Sequence, residues 1–505
     1  MRFLPAAFFA FTLILGIFLF DDYGISWDEP IQRDLGNANW NFILHGDDSL
    51  FRLINKYHGP FAEIIEVAPE KILQLHDERI IFLSRHLLNY LIFWIGSVFL
   101  FLLGKEVLQE RWLALLAVAM LYLTPRIFAH AFYNSKDIPL LSFFIISNYF
   151  LLKFLKKPSI SLTIVLALVS AMLFNIRILG IIIPVFATFF FILNLVNKNL
   201  RTSTLKFLFA YLILFVLFAF SLYPVTWHDP IGSLKEAFRV MSHYPYDDPQ
   251  FFLGELIKPQ QLPWYYIPVW IGITIPIVWQ LFSLTGLMLL LITILLSLKS
   301  IFKKSWPWLL IVSWCIVPWL MVVLIHSIVY DEWRHLFFIY PAVLLIACFG
   351  IRKLFEAFQH VKHTSLKAIL RSSSIAMVVI QGLVVLQFMI INHPFENVYF
   401  NHLAGKYPQQ RFDLDYWGLS YRQALEFLAA NAKENSIKVC WQNAPGNYNL
   451  IWLDGEQRSR IREMPFSSSE YFLTNFRFNP EQYTDSAWNT IRVNGVTILA
   501  IEKPY

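Results

Sequence analysis

Cysteine is nearly absent. The three in 505 residues are Cys315 and Cys348, both inside apolar segments, and Cys440, alone near the C-terminus. They supply no disulfide framework. Charge is equally thin: Asp, Glu, Lys and Arg make up 15% of the chain, against about a quarter in soluble domains. A chain so poor in charge cannot cover itself with a solvated surface. There is no HExxH, no phosphate-binding GxxxxGK[ST] loop and no GxGxxG fingerprint, which argues against a zincin and against a nucleotide-activated substrate. No internal repeat or low-complexity linker interrupts the chain, so solenoid and linker-rich architectures are excluded. The first apolar run, 3–20, follows Arg2 but lacks a small-residue cleavage site before Asp21. It therefore reads as an uncleaved first span.

What is abundant is apolar and aromatic. Hydrophobic residues are 57% of the chain and aromatics 17%, with 48 Phe and 17 Trp, as expected of side chains that meet lipid and its interfaces. Apolar runs near 3–20, 82–103, 112–124, 138–152, 159–175, 178–196, 207–224, 280–298, 307–325, 335–350 and 373–391 are long enough to cross a bilayer, the shorter ones marginally. The fold class is a polytopic α-helical membrane protein of about eleven transmembrane helices.

Charge asymmetry orients it. Loops on one side hold Lys105, Arg111, Lys153, Lys156, Lys157, Lys299, Lys303, Lys304, Arg352 and Lys353, whereas loop 21–80 carries twelve Asp/Glu against five Lys/Arg. Basic residues stay on the cytoplasmic side, so loops 21–80 and 225–279 face outward. The net charge of +6 thus reports membrane orientation and not nucleic acid. Residues 1–391 read as the membrane domain and 392–505 as an exported α/β domain. In that tail "SYRQALEFLAANAKEN" reads as a helix, and "SIKVCWQ" and "VTILAIEK" as strands, the latter behind the turn pair Asn494-Gly495.

Candidate chemistry gathers at outward helix ends. Asp28-Glu29 in "GISWDEP" lies about eight residues past the first span. An acid followed by Pro is also an ordinary helix start. Asp137, beside Lys136 in "YNSKDIPLL", opens the fourth span, and the same bland reading applies. Arg334 and His335 in "YDEWRHLFFIYPA" put a cation where an outward helix begins, which snorkelling makes inexpensive. Arg85 lies at the start of the second span, where an arginine has a partner or a task. Arg177 separates two closely spaced spans and serves equally as turn punctuation. His228, His243, Asp229, Asp247 and Asp248 leave room for a divalent cation, although their spacing fits no compact ligand motif.

Taken in order and sidedness, these motifs resemble the GT-C superfamily of membrane glycosyltransferases. The likeness is greatest to protein O-mannosyltransferases and lipid A aminoarabinose transferases, and spans most of residues 1–425. The resemblance implies a polyprenyl-phosphate sugar donor, with Asp28 as catalytic base and Glu29 supporting it. Asp137 corresponds to the second acidic site. Arg85 and Lys136 would hold the donor phosphate, and "LPWYYIPVW" with "WRHLFFIYPA" would bring Trp264, Tyr265, Arg334 and His335 near it. Such a transfer needs one base if it inverts the anomeric centre, plus cations for the departing phosphate. No cofactor is required. The acceptor hydroxyl, on protein, lipid or glycan, is open, because the soluble insert of eukaryotic O-mannosyltransferases is missing here. The expected location is the bacterial plasma membrane, with the tail on the periplasmic side. Asp413, Asp415 and Trp417 of the tail are candidates for acceptor contact or for capping the domain. Two rivals stay open: a lipid or sugar flippase, and a non-catalytic assembly or sensor subunit.

Overall fold

The computed structural model describes residues 3–242, 244–296 and 305–503. Arg2, His243, Lys299, Lys303 and Lys304, all used in the sequence reading, lie outside the described residues. Among the described residues eight helices are long and apolar enough to cross a membrane: Glu78–Leu108, Asp137–Lys156, Ile178–Val196, Thr202–Ser221, Ile277–Leu296, Trp306–Ile325, Arg334–Gln359 and Thr364–Asn392. Helical backbone satisfies its own N–H and C=O groups, which a bilayer interior demands. The chain is an integral membrane protein.

The expected eleven spans differ from these eight in three places. The run at 112–124 is a helix of 12 residues, Arg111–Tyr122, bent by 71° into Pro125–Tyr133. The pair counts at most as one broken span, raising the total to nine. The bend falls at Thr124-Pro125, where proline lacks the N–H that would continue the ladder. Leu4–Leu19 and Ile160–Phe174 are apolar but only 16 and 15 residues long, short of a full hydrocarbon thickness at 1.5 Å per residue.

Among the eight candidate spans the most enclosed runs from Arg334 to Gln359. Its neighbour Ile277–Leu296 approaches closely through glycines: a Cβ on Gly286 would lie 2.0 Å from the Ile346 carbonyl oxygen, and one on Gly350 2.7 Å from that of Phe282. Small residues permit this backbone-to-backbone packing where lipid offers no hydrophobic drive.

One end of the bundle is built up by loops. Residues 21–80 form two helices, Glu29–His45 and Phe61–Ile72. Residues 225–279 form the helix Pro230–Ser242, a hairpin of Gln250–Phe252 with Glu255–Ile257, and the helix Tyr266–Thr274. The tail docks at the same end. Asn449 clasps the backbone of Ile25 from both sides, at 2.8 and 3.0 Å, and Asp413 accepts from the Phe251 N–H at 3.2 Å. Side chains from Phe395 to Leu419 pack into the helical core.

From Tyr421 the tail has a core of its own. The helix Tyr421–Asn431 packs on a five-stranded sheet ordered Ile461–Glu463, Ile437–Trp441, Tyr471–Thr474, Val496–Glu502, Asn489–Val493. Its first three strands are parallel and its last three antiparallel. Asn494 and Gly495 both take positive φ, 49° and 79°, as the tight turn between the last two strands requires.

Candidate active site

Asp28 occupies the cap position of the helix Glu29–His45, yet its side chain makes no capping hydrogen bond. One carboxylate oxygen instead accepts from Arg334 Nη1 at 3.2 Å. Asp137 behaves likewise. The amides of Lys136 and Asp137 are taken by the Asn134 side-chain oxygen, at 3.3 and 2.9 Å, which frees the Asp137 carboxylate. One of its oxygens meets Arg334 Nη1 at 3.3 Å and Asn134 Nδ2 at 3.0 Å, and the other meets Arg177 at 2.6 Å. Arg334 Nη2 reaches Asp331 at 3.0 Å, and that carboxylate's far oxygen accepts from Arg477 at 2.8 Å. Tyr330 and Trp417 lie against the Arg334 guanidinium, 5.1 and 4.7 Å from it.

Three carboxylates and three arginines from five separate segments thus meet at the loop-rich end. Arg334 is 3% exposed and Asp137 fully buried, whereas the Asp28 side chain retains 31% of its exposure. Asp28 is the acid of the three that a water-borne group reaches most readily. Arg334 Nε, Arg177 Nε and His335 Nε2 are buried without hydrogen-bond partners. Such donors are expensive to leave unpaired.

Glu29 accepts from the Ser26 N–H at 2.6 Å and pairs with His86 Nε2 at 2.8 Å. It fixes the turn that presents Asp28. Arg85 is enclosed by the helix Phe61–Ile72, 3.4 Å from Glu63 and 2.9 Å from Glu66, with its Nε and Nη1 unpartnered. Lys136 stands 4.0 Å from Glu63. Burial lowers the Lys136 ammonium to about 8, against the opposing pull of Glu63. Burial raises the Glu63 and Glu66 carboxyls, against the nearby cations, and for Glu66 the rise is large.

Trp264 and Tyr265 are not brought to the cluster. They are 66% and 40% exposed and touch each other, with Tyr265 also beside Phe252. The adjacent Tyr266 is the one that turns inward, and its hydroxyl accepts from the Glu332 N–H at 3.0 Å. In the tail, Trp417 lies on Arg334, while Asp415 accepts from the Ser420 hydroxyl at 2.6 Å and holds the local turn. Burial raises Asp413 to about 6, with Arg477 opposing.

Asp331, Glu332, Glu63, Glu66, Arg126 and Arg477 had not been singled out in the sequence. Glu332 is buried between Arg126, at 3.0 Å, and the Tyr416 hydroxyl, at 2.6 Å. Asp331-Glu332 precedes Arg334 by one intervening residue, Trp333, so "YDEWRH" held that signal. Arg477 lies far along the chain in "TNFRFNP" and carried none. Among the described residues no three His, Cys, Asp or Glu side chains converge as a metal site. Asp229 instead accepts from the Gly232 N–H at 3.0 Å, and Asp247 from the Gln260 amide at 2.9 Å. Asp28 and Asp137 converge on a guanidinium, so this donor set does not fit a divalent cation.

Residues 81–223 match the family model for Dolichyl-phosphate-mannose-protein mannosyltransferase. Among curated protein sequences none matches the chain. Among solved structures, ArnT from Cupriavidus metallidurans bound to undecaprenyl phosphate aligns at 11% identity and a TM-score of 0.49, over 99% of this chain and 98% of that one. The apo state of the same protein aligns at 11% identity and a TM-score of 0.48, over 99% and 97%. The Archaeoglobus fulgidus oligosaccharyltransferase in its apo form aligns at 10% identity and a TM-score of 0.48, over 94% of this chain and 70% of that one. Residues 81–223 thus carry a likeness to the dolichyl-phosphate-mannose-protein mannosyltransferases.

Proposed function

We propose that the protein transfers a sugar from a polyprenyl-phosphate donor to an acceptor hydroxyl at the outward face of the membrane. The observation that carries the reading is Asp28 itself: a partly exposed carboxylate held at 3.2 Å by a buried arginine, at the loop-rich end of a helical bundle. The family model matched by residues 81–223, whose description names a dolichyl-phosphate sugar, supports the donor class.

The steps follow from the chemistry of the groups. The donor phosphate lies against Arg334 and Lys136, with Arg177 and His335 within the same cluster. Guanidinium groups match phosphate oxygens well, and the unpartnered nitrogens of Arg334, Arg177 and His335 gain acceptors. The phosphate competes with Asp28 for Arg334 and releases a carboxylate oxygen. That oxygen takes the proton of the acceptor hydroxyl as the hydroxyl oxygen bonds to the anomeric carbon. The bond from that carbon to the phosphate oxygen breaks, and its electron pair leaves with polyprenyl phosphate. One displacement with one base inverts the anomeric centre.

Glu29 positions Asp28 through the Ser26 amide and His86. Asp137 holds Arg334 and Arg177 in place. Arg85 holds the helix Phe61–Ile72 behind the site through Glu63 and Glu66, and Trp264 and Tyr265 anchor loop 225–279 at the lipid interface. Loops 21–80 and 225–279 roof the site, and the tail, 392–505, lies on the same outward side, which in a bacterium is the periplasm.

The test is turnover by the purified protein with a polyprenyl-phosphate sugar and a panel of hydroxyl acceptors. The reading predicts a covalent glycoside and free polyprenyl phosphate. Movement of the glycolipid across vesicles with no covalent product would replace it with transport.

A further inference from the structure

We propose that the C-terminal α/β domain completes the site, with Arg477 as a positioning residue that keeps Arg334 turned toward Asp28 by engaging the far oxygen of Asp331. The proposal deepens the transferase reading and depends on it only for the ligand. Asp331 is a bridge: one oxygen accepts from Arg334 Nη2 at 3.0 Å and the other from Arg477 Nη2 at 2.8 Å. Asp28, Asp137 and Asp331 are balanced by Arg177, Arg334 and Arg477. Without Arg477, Asp331 has only Arg334 left, and Arg334 must also serve Asp28 and Asp137. A buried carboxylate short of counter-charge draws the nearest cation strongly, so Arg334 turns toward Asp331 and away from Asp28.

Arg477 is fixed from several directions. It donates to the Tyr416 carbonyl and, at 3.1 Å, to the Tyr246 hydroxyl. Its guanidinium lies 4.8 Å from the ring of Trp27, the residue before Asp28. The Trp27 N–H in turn donates to the Trp417 carbonyl at 3.1 Å, and the Trp417 ring lies on Arg334. The tail therefore grips the site on both sides, through Asp331 and through the turn that carries Asp28.

The backbone supplies an independent sign. Asp331 and Glu332 have φ of 53° and 64°, and Phe476 and Phe478, flanking Arg477, have 62° and 69°. Left-handed backbone is uncommon for bulky residues such as Phe and persists where surrounding contacts impose it, often at functional sites. Here it occurs at Asp331 and at both neighbours of Arg477. Gln250 holds Asp331 in shape by accepting from its N–H at 2.6 Å.

The experiment uses the full chain in detergent and undecaprenyl phosphate as probe, with binding read by tryptophan fluorescence and stability by Tm. R477A is expected to weaken binding about tenfold, the scale of coupling between residues that share a partner. R477K should fall between, because a lysine keeps the charge without the fork. Adding D331N to R477A should restore binding toward wild type, since it removes the excess charge. A merely structural loss would deepen instead. R334A and R477A should be non-additive in Tm through their shared Asp331, a coupling read without ligand. If R334A abolishes binding while R477A and R477K match wild type, the positioning role is overturned and the transferase reading stands. If wild type itself does not bind, the transferase reading falls, and the Tm cycle decides: additive effects overturn the coupling, non-additive effects uphold it. Should R477A fail to fold, R477K takes its place in the cycle.

Discussion

Arg334 and Arg85 are two buried arginines at the same end of one helical bundle, each meeting carboxylates, and they are not equivalent. Arg334 joins three acids from three segments, and one of them, Asp28, keeps 31% of its side-chain exposure. Arg85 joins two acids of a single helix, Glu63 and Glu66, and all three are at most 1% exposed. In the first cluster acids and arginines balance, and water reaches one edge. In the second, two carboxylates share one arginine, and burial relieves the excess by raising both carboxyls. Access and counter-charge, more than residue type, separate a group that can exchange a proton with a substrate from one that holds a helix in place.

The difference can be broken most severely at Asp28. D28N should lower the turnover rate by about 10²–10⁴, the usual contribution of a positioned base, while expression stays near wild type and undecaprenyl phosphate binds at least as tightly, since Asp28 no longer competes for Arg334. Replacement of Arg334 by Ala comes next. It takes one of two arginine partners from each of Asp137 and Asp331, which keep Arg177 and Arg477, so a lowered Tm should accompany loss of phosphate binding. If Tm falls and binding holds, Arg334 belongs with Arg85 among the structural arginines.

Lys136 sharpens the comparison, because it stands between the two clusters. Burial brings its ammonium to about 8, with Glu63 opposing, so the charge is complete below that pH and lost above it. Binding of undecaprenyl phosphate should weaken as pH rises through about 8, and K136R should hold it to higher pH. For stability the sign is opposite: a lysine lowered in the folded state is a penalty at low pH that fades as pH rises from about 8 toward its unfolded value.

The smallest effect belongs to the sealed cluster. Burial raises Glu66 well above the ordinary carboxylate range, against Arg85. The unfolded chain then releases this proton at a pH where the folded chain keeps it, and stability falls as pH rises through the unfolded value. E66Q removes that loss. Its Tm should equal or exceed wild type near neutral pH, with the gap closing below about pH 4, and turnover should change little. A steep loss of activity in E66Q would move the sealed cluster into the reaction.

The apolar runs were legible because lipid imposes a length and a composition together, and eight of the eleven overlap a helix long and apolar enough to cross a membrane. What could not be read was the bend at Thr124-Pro125 and the shortness of Leu4–Leu19 and Ile160–Phe174, since hydropathy reports composition before it reports geometry. Asp28, Asp137 and Arg334 stood out because charge beside an apolar run is costly, and the structure joins these three. Arg177 stayed ambiguous between turn and site, as its setting "NIRILG" suits either. Glu63 and Glu66 fall at i and i+3 on an amphipathic helix, a pattern that equally describes a solvated face. Only the packing of Arg85 against them shows otherwise. Arg477 was illegible for a simpler reason: it meets Asp331 from 146 positions away, on a loop whose local sequence looks like the end of a strand.

The central claim, that Asp28 is the base of a transfer from a polyprenyl-phosphate sugar, is tested most directly in membranes. Polyprenyl-phosphate sugars would be profiled by mass spectrometry in cells expressing wild type or D28N at equal levels. The account predicts one glycolipid that is depleted by wild type and accumulates with the variant. Identical profiles from two well-expressed proteins would contradict it.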